Sequence, residues 1–205
     1  MTQQKFYSIW IALICIIIFV FQTTINEFTD SLVLNSQSFF QPWRFVTSIF
    51  LHGDLSHLVL NLFALLLFGL ILEKVIGSNN FLIVYFVSGF IANIVAVNFY
   101  ASSLGASGAI YGIMGCLAVL RPKMTVFIYN LPMPMFLAAI IWVLIGIFGL
   151  FIPSNTGHIA HLSGIAIGFL IGVYYFKNFR EQKQFKIKVN LPEEHMQKWE
   201  EVYLR

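Results

Sequence analysis

Between Tyr7 and Phe176 the chain is a succession of long apolar runs, with charged side chains at the ends of the runs or in the breaks between them. Only 10% of the residues are charged, against about 25% in an ordinary soluble domain. That is too little charge to coat a globular surface. Several runs reach the length of about 20 residues that a membrane-crossing helix requires. The pattern predicts an all-α polytopic membrane protein folded as one domain. Cys15 and Cys116 both fall inside apolar runs, which assigns them to packing and argues against a disulfide framework.

The runs predict six spans, at about 7–25, 55–76, 81–100, 106–120, 135–152 and 157–176. The first is read as a retained helix and not a cleaved signal peptide. Lys5 is its only positive charge, and Gln22-Thr23-Thr24 offers no small-x-small cleavage site. A long loop follows from Asn26 to Asp54, and its aromatic stretch Pro42–Val46 suits the membrane interface. Gly77–Asn80 reads as a tight turn, and Pro132 and Pro134 mark the connection before the fifth span. The membrane domain is expected over 1–180 and a basic tail over 181–205, in which Pro192-Glu193-Glu194 opens a short surface helix. Lys5, Lys74, Arg121, Lys123 and the tail's basic residues fall on the side of the termini, and Arg44 alone on the other. This bias predicts cytoplasmic termini.

The fourth run is too short for an ordinary span. Counted from Leu104 it covers roughly 17 residues, about 25 Å of helix against a hydrocarbon core of about 30 Å. A short helix inside a bundle starts below the outer surface. The loop before it then dips inward, which is tolerated only under protein or beside a watery cavity. Ser107, between Gly105 and Gly108, would lie at the floor of such a pit. The two glycines allow a sharp chain entry and the approach of a substrate backbone. Free N–H groups at the helix start favour developing negative charge there. As a lone residue, Ser107 in a glycine-rich helix containing Gly112 is more simply a packing position.

Its neighbours change that weighting. His161 lies a few residues into the sixth run from the same end, at matching depth. It flanks a small-residue stripe of Ala160, Gly164, Gly168 and Gly172, which allows close approach to the glycine-rich fourth helix. An ionisable residue in a span is by default functional, and a serine–histidine hydrogen bond needs about 2.6–3.2 Å. His158 is expected nearer the surface, in a structural or pit-lining role. Tyr111 shares the face of Ser107 at i+4. His57 and Asn61 share a face of the second helix and are candidate donors for an oxyanion, with the Ser107 backbone N–H. Zinc binding by His52, His57, His158 and His161 is the weaker reading, since there is no H-E-x-x-H and no deep carboxylate on that side. No plausible third acid of a triad is available: Asp54, Asp30 and Glu27 belong to the outer loop or the very edge of the second helix, and Glu73 lies at the opposite end of that helix as a cap or an ion-pair partner of Lys74 or Arg121. A Ser107–His161 dyad for acyl transfer remains, acting without metal or cofactor. Its substrate would be a membrane protein whose helix unwinds locally at the cleaved bond.

In order along the chain, Trp43-Arg44, His57-x-x-x-Asn61, Gly105-x-Ser107-Gly108 with Tyr111, and Ala160-His161-x-x-Gly164-x-x-x-Gly168 resemble the rhomboid intramembrane serine proteases. The resemblance implies Ser107 as nucleophile, His161 as base, and His57 with Asn61 as the oxyanion pair. It also implies that Tyr111 packs on the catalytic imidazole. Trp43-Arg44 would belong to a membrane-embedded first-loop hairpin, and Glu73 would support the fold from the cytoplasmic side. The fifth helix would be a mobile gate and Pro153–Thr156 a cap over the pit. The likeness is to the minimal six-helix prokaryotic form, in a plasma membrane with the active site opening outward. Its partners would be transmembrane substrates and the lipid bilayer, without nucleic acid. The alternative is a catalytically silent relative that binds or guides membrane clients, against which the retained Ser107, His161, His57 and Asn61 speak. A transporter is disfavoured by the short helix and the lack of an internal repeat.

Overall fold

A computed structural model describes residues 5–128, 130–154 and 156–189. The expected surface helix after Pro192 lies outside them. Helix α1 (Tyr7–Thr24) is followed by a structured outer loop: α2 (Phe28–Leu32), β1 (Leu34–Asn35), a 3-10 turn, α3 (Arg44–Thr47) and a second 3-10 turn. Next come α4 (Leu55–Ile76), α5 (Ser78–Ala96), β2 (Ser102–Ser103) and α6 (Ser107–Leu120). Strands β3 (Thr125–Ile128) and β4 (Leu131–Pro134), then α7 (Met135–Gly149) and α8 (His158–Val189), complete the order. Strand β1 pairs antiparallel with β2, which ties the outer loop to the segment just before α6.

Among the described residues, four helices are long and apolar enough to cross a membrane: Tyr7–Thr24, Leu55–Ile76, Ser78–Ala96 and the Asn178-terminated part of α8. Helices α6 and α7 are apolar but shorter, at 14 and 15 residues. The chain is thus a membrane-associated helical bundle, and the short fourth run is a short helix.

Several boundaries differ from the sequence reading. Gly77 alone makes the α4–α5 turn, with φ 85°, a conformation in which glycine carries no Cβ penalty. Helix α5 therefore starts at Ser78 and stops at Ala96, short of Tyr100. Helix α8 does not end at Phe176. It continues to Val189, because the Lys, Arg, Gln and Glu residues beyond it are good helix formers. The connection with Pro132 and Pro134 is an antiparallel hairpin, with Val126 opposite Met133. Both prolines lie on one strand of a two-stranded sheet, where a missing N–H is affordable at the open edge.

Helix α6 sits in the middle of the bundle, against α4, α5, α7 and α8, and its residues from Gly108 to Leu117 are buried except Tyr111. The tightest seam is with α8. A Cβ on Gly164 would run into the Gly108 carbonyl, and one on Gly168 into the Gly112 carbonyl. The expected stripe and its expected partner therefore meet backbone to backbone, as small residues allow in membranes. Gly108 is part of this packing: a Cβ there would lie 2.9 Å from the Ala92 methyl of α5. Its lack of a side chain serves helix approach.

At the other end Glu73 is fully buried. Its carboxylate accepts the N–H groups of Tyr7 (3.0 Å) and Ser8 (2.5 Å) and the hydroxyl of Ser78 (3.1 Å). It caps the N-terminus of α1, where first-turn N–H groups lack helical acceptors and the dipole favours an anion. Of the two roles expected for Glu73, the cap is the one present; the partners are backbone groups of α1 and the Ser78 hydroxyl, not Lys74 or Arg121.

Candidate active site

Ser107 is the first residue of α6, and His161 lies in the first turn of α8. The glycine seam brings these helix starts together. His161 Nε2 lies 2.8 Å from Ser107 Oγ, within hydrogen-bonding range. Tyr111, one turn below Ser107, lies flat against the imidazole, with ring centroids 4.2 Å apart and planes 8° from parallel. The imidazole is thus held on one face by a ring and at one edge by a hydroxyl. Ser107, Tyr111 and His161 are each half-buried.

The chain enters α6 through Gly105, whose φ of 122° lies in the region that disfavours side chains. A Cβ at Gly105 would stand 2.8 Å from both Cε1 and Nε2 of His57. Any larger residue would displace that ring. The Gly105 N–H donates to the Ser48 carbonyl (2.9 Å). Ser48 is held in turn by Asn93 of α5, whose Nδ2 donates to Ser48 Oγ (3.0 Å) and to the Phe45 carbonyl (2.8 Å). The sequence reading missed Asn93 and Ser48. The available signal was an amide in the middle of an apolar run, which demands a partner in a membrane protein.

His57 and Asn61 sit in the first turns of α4, which Asp54 caps by accepting the His57 N–H at 2.8 Å. Hydrogen bonds from Ser56 and from the His57 backbone hold the Asp54 carboxyl below its ordinary range. The Gly53 N–H points to His57 Nδ1 at 3.4 Å. In a neutral ring this pattern puts the proton on Nε2, the atom beside Gly105. Asn61 is committed in part, since its Nδ2 donates to the His57 carbonyl at 2.8 Å.

His52 lies under His57, ring to ring at 5.2 Å. Its backbone is clasped by Gln22 of α1, which accepts the His52 N–H (2.9 Å) and donates to the His52 carbonyl (3.2 Å). Burial, reinforced by the neighbouring His57, pushes His52 down to about 4.

His158 stands apart from the serine. Its ring is 6.2 Å from that of His161, its Nε2 lies 3.1 Å from Ser154 Oγ, and it packs over Gly149 at the end of α7. Trp43 is exposed, whereas Arg44 is only 5% exposed. The Arg44 guanidinium donates to Gln41 Oε1 (2.6 Å) and to the carbonyls of Asp30 (2.7 Å) and Val33 (2.8 Å). Arg44 is a buried staple of the outer loop.

Residues 40–178 match the Rhomboid domain. The chain is 30% identical over 156 residues to Rhomboid protein 1, mitochondrial, of Saccharomyces cerevisiae, covering 70% of this chain and 44% of that protein. It is 37% identical over 132 residues to the Putative rhomboid protease YdcA of Bacillus subtilis, covering 63% and 65%. It is 28% identical over 145 residues to Rhomboid protease GlpG of Yersinia pseudotuberculosis, covering 70% and 52%. Each match spans less than two thirds of the relative's own length. With a family match from the latter part of the outer loop through α4, α5, α6, α7 and the apolar part of α8, the chain belongs to the rhomboid family.

Proposed function

We propose that this protein is an intramembrane serine endopeptidase that hydrolyses peptide bonds in or near transmembrane segments of other membrane proteins. The observation that carries the reading is the 2.8 Å contact between His161 Nε2 and Ser107 Oγ, with the imidazole backed by Tyr111.

Neutral His161 accepts the hydroxyl proton at Nε2 as Ser107 Oγ attacks the scissile carbonyl. The oxyanion forms beside the start of α6, where the Ser107 N–H has no helical acceptor and the helix dipole is positive. His57 Nε2–H supplies a second donor, and Asn61 a third through its remaining amide hydrogen. His161 then gives its proton to the leaving amine. Water attacks the acyl-enzyme as His161 takes its proton, and His161 returns that proton to Ser107 Oγ as the carboxylic acid departs, which restores the hydroxyl and the neutral imidazole. No cofactor enters these steps.

In this reading the six apolar helices α1, α4, α5, α6, α7 and α8 all cross the membrane. The two short ones do so inside the bundle, so that Ser107 lies below the outer surface. The termini are cytoplasmic, the site opens to the outside, and the setting is a prokaryotic plasma membrane. The membrane domain covers 1–180 and the tail 181–205, and Gly112, Gly164 and Gly168 hold the dyad helices together. Purified chain should cut a helical transmembrane reporter, and Ser107→Ala should abolish cutting while the fold survives. Undiminished cutting by Ser107→Ala would refute the assignment.

A further inference from the structure

The β3–β4 hairpin lies at the end of α6 opposite Ser107, and the site has no use for it. One of its faces is part of the core: Val126 is buried, and Met124, Ile128 and Met133 pack against the same cluster. The other face is exposed and apolar, with Phe127 71% exposed opposite the exposed Pro132, and Leu131 at the hairpin tip is 64% exposed. Arg121 and Lys123, at the root of β3, are exposed as well.

Among the described residues the two strands pair only with each other, so each leaves an open edge of N–H and carbonyl groups. Open edges do not persist in hydrocarbon. Yet the hairpin links two apolar helices directly, and its base is welded to the second. The N–H groups of Met135 and Phe136 at the start of α7 donate to the carbonyls of Met124 (2.8 Å) and Pro122 (3.1 Å). An element that must stay out of hydrocarbon, but cannot leave the helix ends, belongs at headgroup level. An exposed aromatic is suited to that level.

Charge points to the occupant. Among the described residues, Lys5, Lys74, Arg121, Lys123 and Lys177 are exposed cations, and all lie at this end. Arg44, at the Ser107 end, is buried and spent on internal partners. The end bearing the hairpin therefore offers free positive charge, and the opposite end offers none from a described lysine or arginine.

We propose that the hairpin is a binding site for anionic phospholipid. Arg121 and Lys123 take the headgroup phosphate, and Phe127 lies among the first acyl carbons of the same leaflet. The bound lipid thereby anchors the start of α7. The site is independent of the Ser107 chemistry and is tested without cleavage.

The full chain carrying Phe127→Trp is reconstituted in phosphatidylcholine vesicles containing either brominated phosphatidylglycerol or brominated phosphatidylcholine at equal mole fraction. The increment of tryptophan quenching over the unsubstituted chain is measured. Leu131→Trp provides the same readout if the first variant fails to fold. Brominated phosphatidylglycerol should quench the added tryptophan more strongly. Adding Arg121→Gln with Lys123→Gln should erase that excess, weakening the preference about five-fold for each charge removed. Lys74→Gln should leave it in place. Equal quenching by the two lipids would overturn the proposal, as would no quenching by either. Loss of the excess in Lys74→Gln would reduce it to a general charge effect. Displacement by inorganic phosphate would make the site one for free anions and not for lipid.

Discussion

Gly164 of α8 lies against the backbone of Gly108 of α6, so closely that a Cβ at position 164 would enter the Gly108 carbonyl. Ser107 and His161 sit one and three residues from this contact, each on its own helix. The Ser107–His161 distance is therefore set by the absence of side chains at Gly164 and, one turn on, at Gly168, where a Cβ would enter the Gly112 carbonyl.

Gly164→Ala should push α8 away from α6 and lengthen the Ser107–His161 contact. A displacement of about 1 Å can cost about 100-fold in rate, and Gly164→Val should cost more. Cleavage of a transmembrane reporter, compared with Gly157→Ala as a control, checks this. A Cβ at Gly157 meets only the Ala160 methyl, at 3.7 Å, so that variant should remain active.

Gly105→Ala tests the oxyanion side. The added methyl group conflicts both with the positive φ and with the His57 ring 2.8 Å away. His57 moves, and Ser107 with His161 stays. The expected result is a fall in kcat of about 100-fold or more, the scale for loss of one oxyanion donor. Stability should fall by about 1 kcal/mol or more for the strained backbone.

His158→Ala should retain measurable cleavage, because His158 is engaged by Ser154 and not by Ser107. His161→Ala should lose cleavage altogether. Parallel assays of the two variants distinguish the base from its neighbour.

His52 gives the fold a pH dependence. It is 1% exposed, and its Nε2 is buried with no hydrogen-bond partner, so protonation in place leaves a charge unpaired. Its value of about 4 lies below the ordinary 6.5. Between these values the unfolded chain binds the proton and the folded chain does not, so stability falls as pH drops through this window. The loss should reach about 2 kcal/mol by pH 5 relative to pH 7.5. Thermal unfolding of the detergent-solubilised protein should show it, and His52→Gln should flatten it.

Much of this architecture was legible in the sequence because membrane helices announce themselves by length and apolarity. The meeting of Ser107, Tyr111 and His161 was legible because these motifs sit at helix starts, where spacing fixes depth: Ser107 with Tyr111, His57 with Asn61, His161 with Gly164. What was hidden depends on pairing across long separations. Asn93 finds Ser48, Gln22 clasps His52, and Glu73 caps α1; nothing local in the chain names those partners. The β3–β4 hairpin was masked by Pro132 and Pro134, which read as loop unless the strand opposite is known. The packing of Gly108 on Ala92 and α8 was hidden because both neighbours are distant in sequence.

The central claim is that Ser107 is a nucleophile activated by His161, and its most direct test is covalent. The chain is incubated with a fluorophosphonate, whose P–F bond breaks as an O–P bond forms to an activated serine and fluoride departs. Intact mass and peptide mapping then locate the label. The account predicts one adduct, on Ser107, absent from Ser107→Ala and strongly reduced in His161→Ala. An adduct on another residue, or equal labelling of Ser107 in His161→Ala, would contradict it.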